Sequence, residues 1–155
     1  MTVDTVVADL DAGDLHIGVV RSLFNRRVTD GLLEGALAVL ADAGAGAVTV
    51  VEAPGAFEIP LLASRLVAHG CDAVVAIGAV VEGETDHYEH VAHRASEGLM
   101  RVMLDTGAPI TFGILTVRSA DHAFARSGPG ETNKGAEAAE AAIVTANLLR
   151  SLRSR

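Results

Sequence analysis

Residues 73–93, AVVAIGAVVEGETDHYEHVAH, decide the fold of this chain. The run Ala73 to Val81 is wholly apolar. The segment that follows carries Val91, Ala95, Leu99, Val102 and Met103 at helical spacing. A buried strand, a short turn and a helix packing back on the sheet produce this pattern. The turn holds Glu82, Gly83, Glu84 and Thr85, and His87 opens the helix. A helix N-terminus presents unpaired N–H groups and a partial positive charge, which suit an anion. A histidine there moves protons near neutral pH. This turn is the expected chemical centre.

Working outward, the pattern repeats. Leu15 to Val20 reads as a first strand, ending in the polar loop Arg21-Ser22-Leu23-Phe24-Asn25. Thr29 and Asp30 are expected to cap a helix through Ala43, stopped by Gly44 and Gly46. Val48 to Val51 is a second strand, running into Pro54-Gly55-Ala56-Phe57-Glu58-Ile59-Pro60. Pro60 suits the first turn of a helix that Gly70 ends. The central helix runs to about Thr106. Strand four spans Ile110 to Val117, and Ser119 caps a short helix. A Gly/Pro loop at 127–133 leads to a last helix from Lys134. That helix ends in a basic tail of Arg150, Arg153 and Arg155, placed to suit its negative pole.

Four strand–helix repeats with buried strands predict a three-layer α/β/α sandwich on a four-stranded parallel sheet, flavodoxin-like. Residues 1–14 read as an N-terminal arm, loose or lent to a neighbouring subunit, and 15–155 as a single domain. In such sheets ligands sit at the carboxyl ends of the strands. The polar clusters 21–25, 54–58 and 79–87 all fall there.

Bulk properties narrow the function. The chain has 155 residues, net charge −8, and 50% hydrophobic residues. Its acidity argues against nucleic acid or an anionic membrane as partner. No apolar run approaches the ~20 residues that span a bilayer. The N-terminus lacks a signal-peptide pattern, and the lone Cys71 fits a reducing compartment as a buried thiol. A cytoplasmic protein is expected.

His87 reads equally as an acid/base catalyst or as a helix-cap histidine. His87, His90 and His93 share a helical face, but there is no HExxH and no cysteine partner, so no metal site is expected. Arg126 and Lys134 flank the Gly/Pro loop and suit a phosphate, or are two surface cations beside Glu131. Glu58 suits a polyol or the first turn of a helix. Phe24 suits a planar ring or the edge of the core. No glycine-rich nucleotide loop occurs, so no cofactor is expected.

Six stretches together resemble the 6,7-dimethyl-8-ribityllumazine synthase family. They are Phe24-Asn25 before TDGLLEGA, PGAFEIP at 54–60, GETDHY at 83–88, TFGILT at 111–116, ARSG at 125–128 and NKG at 133–135. The resemblance covers about residues 15–150 in unbroken order. It implies condensation of 5-amino-6-(D-ribitylamino)uracil with 3,4-dihydroxy-2-butanone 4-phosphate, losing water and phosphate, without a cofactor. It implies that Phe24 stacks on the pyrimidine, with Asn25 beside it as a substrate contact. Ala56, Phe57 and Glu58, with Ala79, Val80 and Val81, bind the ribityl chain and ring edge. Gly83, Glu84 and Thr85 lie by the phosphate, and His87 shuttles protons. Phe112, Arg126 and Lys134 come from a neighbouring subunit. The family forms homopentamers, and the short loop from Arg126 to Lys134 points to a sixty-subunit icosahedral shell. Glu82, Leu23 and His93 depart from the family pattern, Glu82 by reversing a charge. Two alternatives are a non-catalytic flavin- or lumazine-binding shell protein and the archaeal type of riboflavin synthase.

Overall fold

The structure, a computed structural model, describes residues 1–154. Arg155 of the basic tail lies outside the described residues. Strands β1 (His16–Ser22), β2 (Ala47–Ala53), β3 (Ala73–Val81) and β4 (Ile110–Val117) form one parallel sheet in the order β2-β1-β3-β4. The helices are α1 (Arg26–Asp42), α2 (Ile59–Ala68), α3 (His87–Thr106), α4 (Ala120–Phe124) and α5 (Lys134–Arg153). A single 3-10 turn, Ala56–Glu58, precedes α2. Two apolar clusters face opposite sides of the sheet. One packs Ile17, Val19 and Val75 against Leu32, Leu40 and Ile143 of α1 and α5. The other packs Val20, Val74 and Ile114 against Ile59, Leu66 and Leu99 of α2 and α3. That is the expected three-layer sandwich.

The wholly apolar β3 lies at the centre and is buried along nearly its whole length. Alternating residues of one strand must then serve both helix layers, so neither face tolerates a polar side chain. The strand order changes direction between β1 and β3, which opens a crevice at their carboxyl ends.

Three expectations are corrected. First, β1 extends through Arg21 and Ser22, both buried. Arg21 is only 4% exposed. Its Nη2 donates to Glu52 Oε1 at 2.9 Å, and its Nη1 lies 2.9 Å from Asp30 Oδ1 without hydrogen-bond alignment. Two carboxylates make a buried guanidinium tolerable, so a polar residue extends a core strand. Second, α1 starts at Arg26, not at Thr29 or Asp30. Asn25 turns the chain with a left-handed backbone, φ 56°, and Thr29 instead donates its hydroxyl to the Ser22 carbonyl at 2.8 Å. Third, β2 is an edge strand and mostly exposed, with Val48 and Val50 open to solvent on this chain.

The stretch read as an arm has no regular structure, yet its last residues are held. Ala12 is fully buried, and Asn147 Nδ2 donates to the carbonyls of Asp9 and Asp11 at 3.2 and 2.8 Å. Cys71 is buried, and burial with the neighbouring Asp72 raises its thiol pKa above the ordinary 9.0. The fold therefore favours the neutral thiol. Among the described residues no helix is long and apolar enough to cross a membrane.

Helices α1 and α5 approach closely at glycines. A Cβ on Gly135 would sit 1.9 Å from the Leu32 carbonyl oxygen, which is backbone and has no room to move. Gly135→Ala is expected to destabilise the fold by about 1–3 kcal/mol, the usual cost of overpacking. A lower urea midpoint with an unchanged slope would show it; an unchanged midpoint would mean the two helices separate freely.

Candidate active site

The C-terminal ends of three strands build one cleft of about 620 Å³. Phe24, beyond β1, forms one wall and is 68% exposed. Gly55, Ala56, Phe57 and Glu58, beyond β2, form a second. Ala79, Val80 and Val81 at the end of β3 make the floor, with Gly83, Thr85 and His87 from the turn and the start of α3. The local sequence explains the layout. Gly55 leaves the Glu58 carboxylate room to fold back, since a Cβ there would lie 3.1 Å from Glu58 Oε2. Pro60 sits in the first turn of α2, where its missing N–H costs nothing.

His87 is the first residue of α3 and is exposed. Among the described residues its imidazole makes no hydrogen bond, so it is not occupied as a helix cap. The lining also contains Tyr88, His90 and Val91, which the sequence reading did not assign to the site. Helical spacing was the available signal, because His90 and Val91 lie three and four places after His87 and so share its face.

A second hollow, about 400 Å³, lies along β4 and the start of α5. Phe112, Arg126 and Lys134 line it with Glu137. Phe112 is 47% exposed. Arg126 Nη1 donates to the His122 carbonyl at 3.0 Å, and its guanidinium joins no ion pair among the described residues. Lys134 pairs with the exposed Glu137 one helical turn on. The expected site residues are thus divided between two hollows of one chain.

Two of them line neither. Glu84 is exposed in the turn, and Asn25 faces a separate groove beside Arg27 and Phe124. Of the departures from the family pattern, Glu82 is exposed and outside the cleft lining. Its N–H donates to the Val117 carbonyl at 2.8 Å. Among the described residues no three His, Cys, Asp or Glu side chains gather to hold a metal ion.

Asn133, to which sequence reasoning assigned no role, organises the loop that carries Arg126 and Lys134 to the second hollow. It is 3% exposed. Its Nδ2 donates to the carbonyls of Gly31, Gly128 and Ser127 at 2.9, 2.9 and 3.2 Å. Its Oδ1 accepts from the N–H groups of Gly135 and Ala136 at 2.9 and 3.1 Å, capping α5. The loop it organises closes with Lys134 N–H donating to the Arg126 carbonyl at 2.9 Å.

Residues 14–150 match the sequence model of a family described as 6,7-dimethyl-8-ribityllumazine synthase. The chain belongs to that family. It is similar to the 6,7-dimethyl-8-ribityllumazine synthase of Mycobacterium leprae, 43% identical over 151 residues, covering 96% of this chain and 94% of the relative. The synthase of Kocuria rhizophila is 46% identical over 92% of both chains. That of Stenotrophomonas maltophilia is 47% identical over 88% of this chain and 90% of its own. The two alternatives raised by the sequence receive no support from these matches. Within this lumazine synthase family member, the six resembling stretches fall on the two hollows or on the residues that hold them in place.

Asn133→Ala removes a cap and the two amide N–H donors that three carbonyls share. It is expected to cost about 2–4 kcal/mol, read as a lowered midpoint in chemical denaturation. A loss under about 0.5 kcal/mol would mean that the loop holds itself.

Proposed function

We propose that this chain condenses 5-amino-6-(D-ribitylamino)uracil with 3,4-dihydroxy-2-butanone 4-phosphate to give 6,7-dimethyl-8-ribityllumazine. The observation that carries the site reading is the division of its residues. Phe24, Glu58 and His87 line one hollow, while Phe112, Arg126 and Lys134 line another. A site shared between neighbouring copies leaves this trace on a single chain, each copy offering half of two pockets.

In this reading the ribityl-bearing pyrimidine enters the cleft. Phe24 stacks on its ring, as an exposed aromatic at the mouth suits. Glu58 and the backbone of Ala56, Phe57 and Ala79 to Val81 take the ribityl hydroxyls and the ring edge. The butanone phosphate lies toward Gly83, Glu84 and Thr85 at the mouth of α3, whose N-terminus favours an anion. Arg126 of a neighbouring copy grips the phosphate, with Lys134 beside it and Phe112 closing the pocket. The net charge of −8 makes such local cations necessary, because the chain as a whole repels an anion.

The amine adds to the ketone carbonyl, forming a C–N bond and a carbinolamine. Loss of water gives the imine. The adjacent hydroxyl-bearing carbon then loses its proton, the phosphate group departs as its C–O bond breaks, and the enol left behind tautomerises to a second ketone, to which the remaining amine adds. That addition closes the ring, and a further water leaves. Each step moves a proton, and one imidazole, able to accept at one nitrogen and donate at the other, serves them in turn. Holding two substrates together supplies much of the rate.

The assembly in this reading is a homopentamer built into an icosahedral shell, with residues 1–14 as an arm and 15–155 as the working domain. The lone thiol suits a cytoplasmic setting.

The chemistry is tested by absorbance of the lumazine product. His87→Ala should slow turnover about 100-fold, with folding intact. Arg126→Ala should raise the KM for the phosphate substrate. Unfolded together at equal amounts and refolded, the two variants should regain about a quarter of the wild-type pockets if each pocket draws on two chains. No recovery would place both residues in one chain's pocket and reject the shared site. Light scattering of the purified protein should show shells; free pentamers alone would reject the shell.

A further inference from the structure

Asn25 stands out on three counts. It is the one non-glycine residue with positive φ among the described residues, at 56°. It precedes α1 without capping it by its side chain. Its side chain instead crosses 54 positions of sequence, and Nδ2 donates to the Ala79 carbonyl at 2.8 Å. Ala79 belongs to the cleft floor, and Phe24, next in the chain, is a cleft wall. Asn25 itself lines only the neighbouring groove.

The sheet explains why such a tie is needed. The β1–β3 ladder ends at Arg21 opposite Ile77. Two residues further along β3, the Ala79 carbonyl has run past the end of β1, and the Asn25 amide supplies its donor. The chain between is fixed as well. Leu23 N–H donates to the Ala53 carbonyl at 2.8 Å. Phe24 N–H donates to Ser22 Oγ at 3.2 Å, and the Asn25 carbonyl accepts from Val28 and Thr29. A left-handed backbone on a residue with a Cβ costs free energy, and the surroundings must maintain it. Asparagine is among the few side chains that tolerate it, and it brings the donor as well.

We propose that Asn25 is a positioning residue. Its backbone turn and its bond to the Ala79 carbonyl hold the Phe24 ring at a set distance from the β3 floor, so the slot for a planar ring is formed before the ring arrives. This replaces the substrate contact expected from the family resemblance, and it rests on the reading under Proposed function. Preorganisation of this kind lowers the cost of binding and leaves the proton transfers at His87 alone.

Two substitutions separate the parts of the role. Asn25→Gly keeps the left-handed turn and removes the tie. Asn25→Ala removes the tie and strains the turn. Asn25→Gly should raise the KM for the pyrimidine substrate about tenfold with kcat within about twofold, since the loss is one of ring binding. Asn25→Ala should show the same KM change and in addition a lower melting temperature. Hydrogen exchange at residues 23–25 should speed up in both, whether or not the protein turns over. A wild-type KM and unchanged exchange in Asn25→Gly would overturn the proposal and leave backbone conformation as the residue's whole contribution. A fall in kcat without a change in KM would also overturn it. Absence of lumazine formation by the wild type would defeat the functional reading, and the exchange measurement would still decide whether Asn25 holds Phe24.

Discussion

One buried amide, that of Asn133, ties two helices and a loop together. It answers three carbonyls and two N–H groups at once. Its partners lie on α1, on the loop after α4 and on α5. The seat exists because Gly31 and Gly35 leave the α1 surface bare. A Cβ on Gly35 would lie 2.3 Å from Asn133 Oδ1, and one on Gly31 would lie 2.2 Å from the Ser127 carbonyl oxygen. A buried amide left half satisfied costs more than it contributes, so the network acts as a unit. Helix packing, the cap of α5 and the course of the loop through Arg126 are therefore one constraint.

The sheet supplies the complementary constraint. A parallel sheet buried on both faces places its loops at the ends of the strands, and the reversal of order between β1 and β3 opens a gap there. Residues from three successive loops meet in that gap without being near in sequence. The fourth strand ends at the same edge, beside β3, but its length lines a separate hollow, which Arg126 and Lys134 also reach. The two hollows follow from topology, and no rotation of side chains within one chain is needed to account for them.

What could be read in advance depended on how uniform each signal was. Strands β3 and β4 were legible to the residue, β3 because a continuous apolar run has few other uses and β4 because an apolar-rich run lies between Pro109 and Ser119. The start of α3 at His87 was equally plain. The end of β1 was not, because Arg21 looks like a loop residue until Asp30 and Glu52 are brought to it from α1 and β2. The start of α1 was misplaced for a related reason. Thr29 and Asp30 have the composition of caps, but Thr29 is spent on the Ser22 carbonyl and Asp30 on Arg21. Asn133 was legible as part of the resembling stretch 133–135 and as a polar residue ending a Gly/Pro loop, with no structural role attached. Its link between the loop and α1 runs through one partner, Gly31, 102 positions away, which no local pattern records. The helical face shared by His87, His90 and Val91 could have been extended to the cleft lining by spacing alone.

The two asparagines belong to one argument about where such a site is vulnerable. Condensing two small molecules depends chiefly on holding them in reacting geometry, and displacement by about 1 Å costs about a hundredfold in rate. Helix α1 governs both walls that matter. Its entry at Asn25 holds Phe24, and its glycine face seats Asn133, which holds the loop carrying Arg126. If neighbouring copies share each pocket as proposed, these two walls serve different pockets. A shift in α1 on one copy then disturbs its own cleft and the cleft it completes next door. Stability and activity become hard to separate at this helix, because the contacts that fold it are the ones that aim the site.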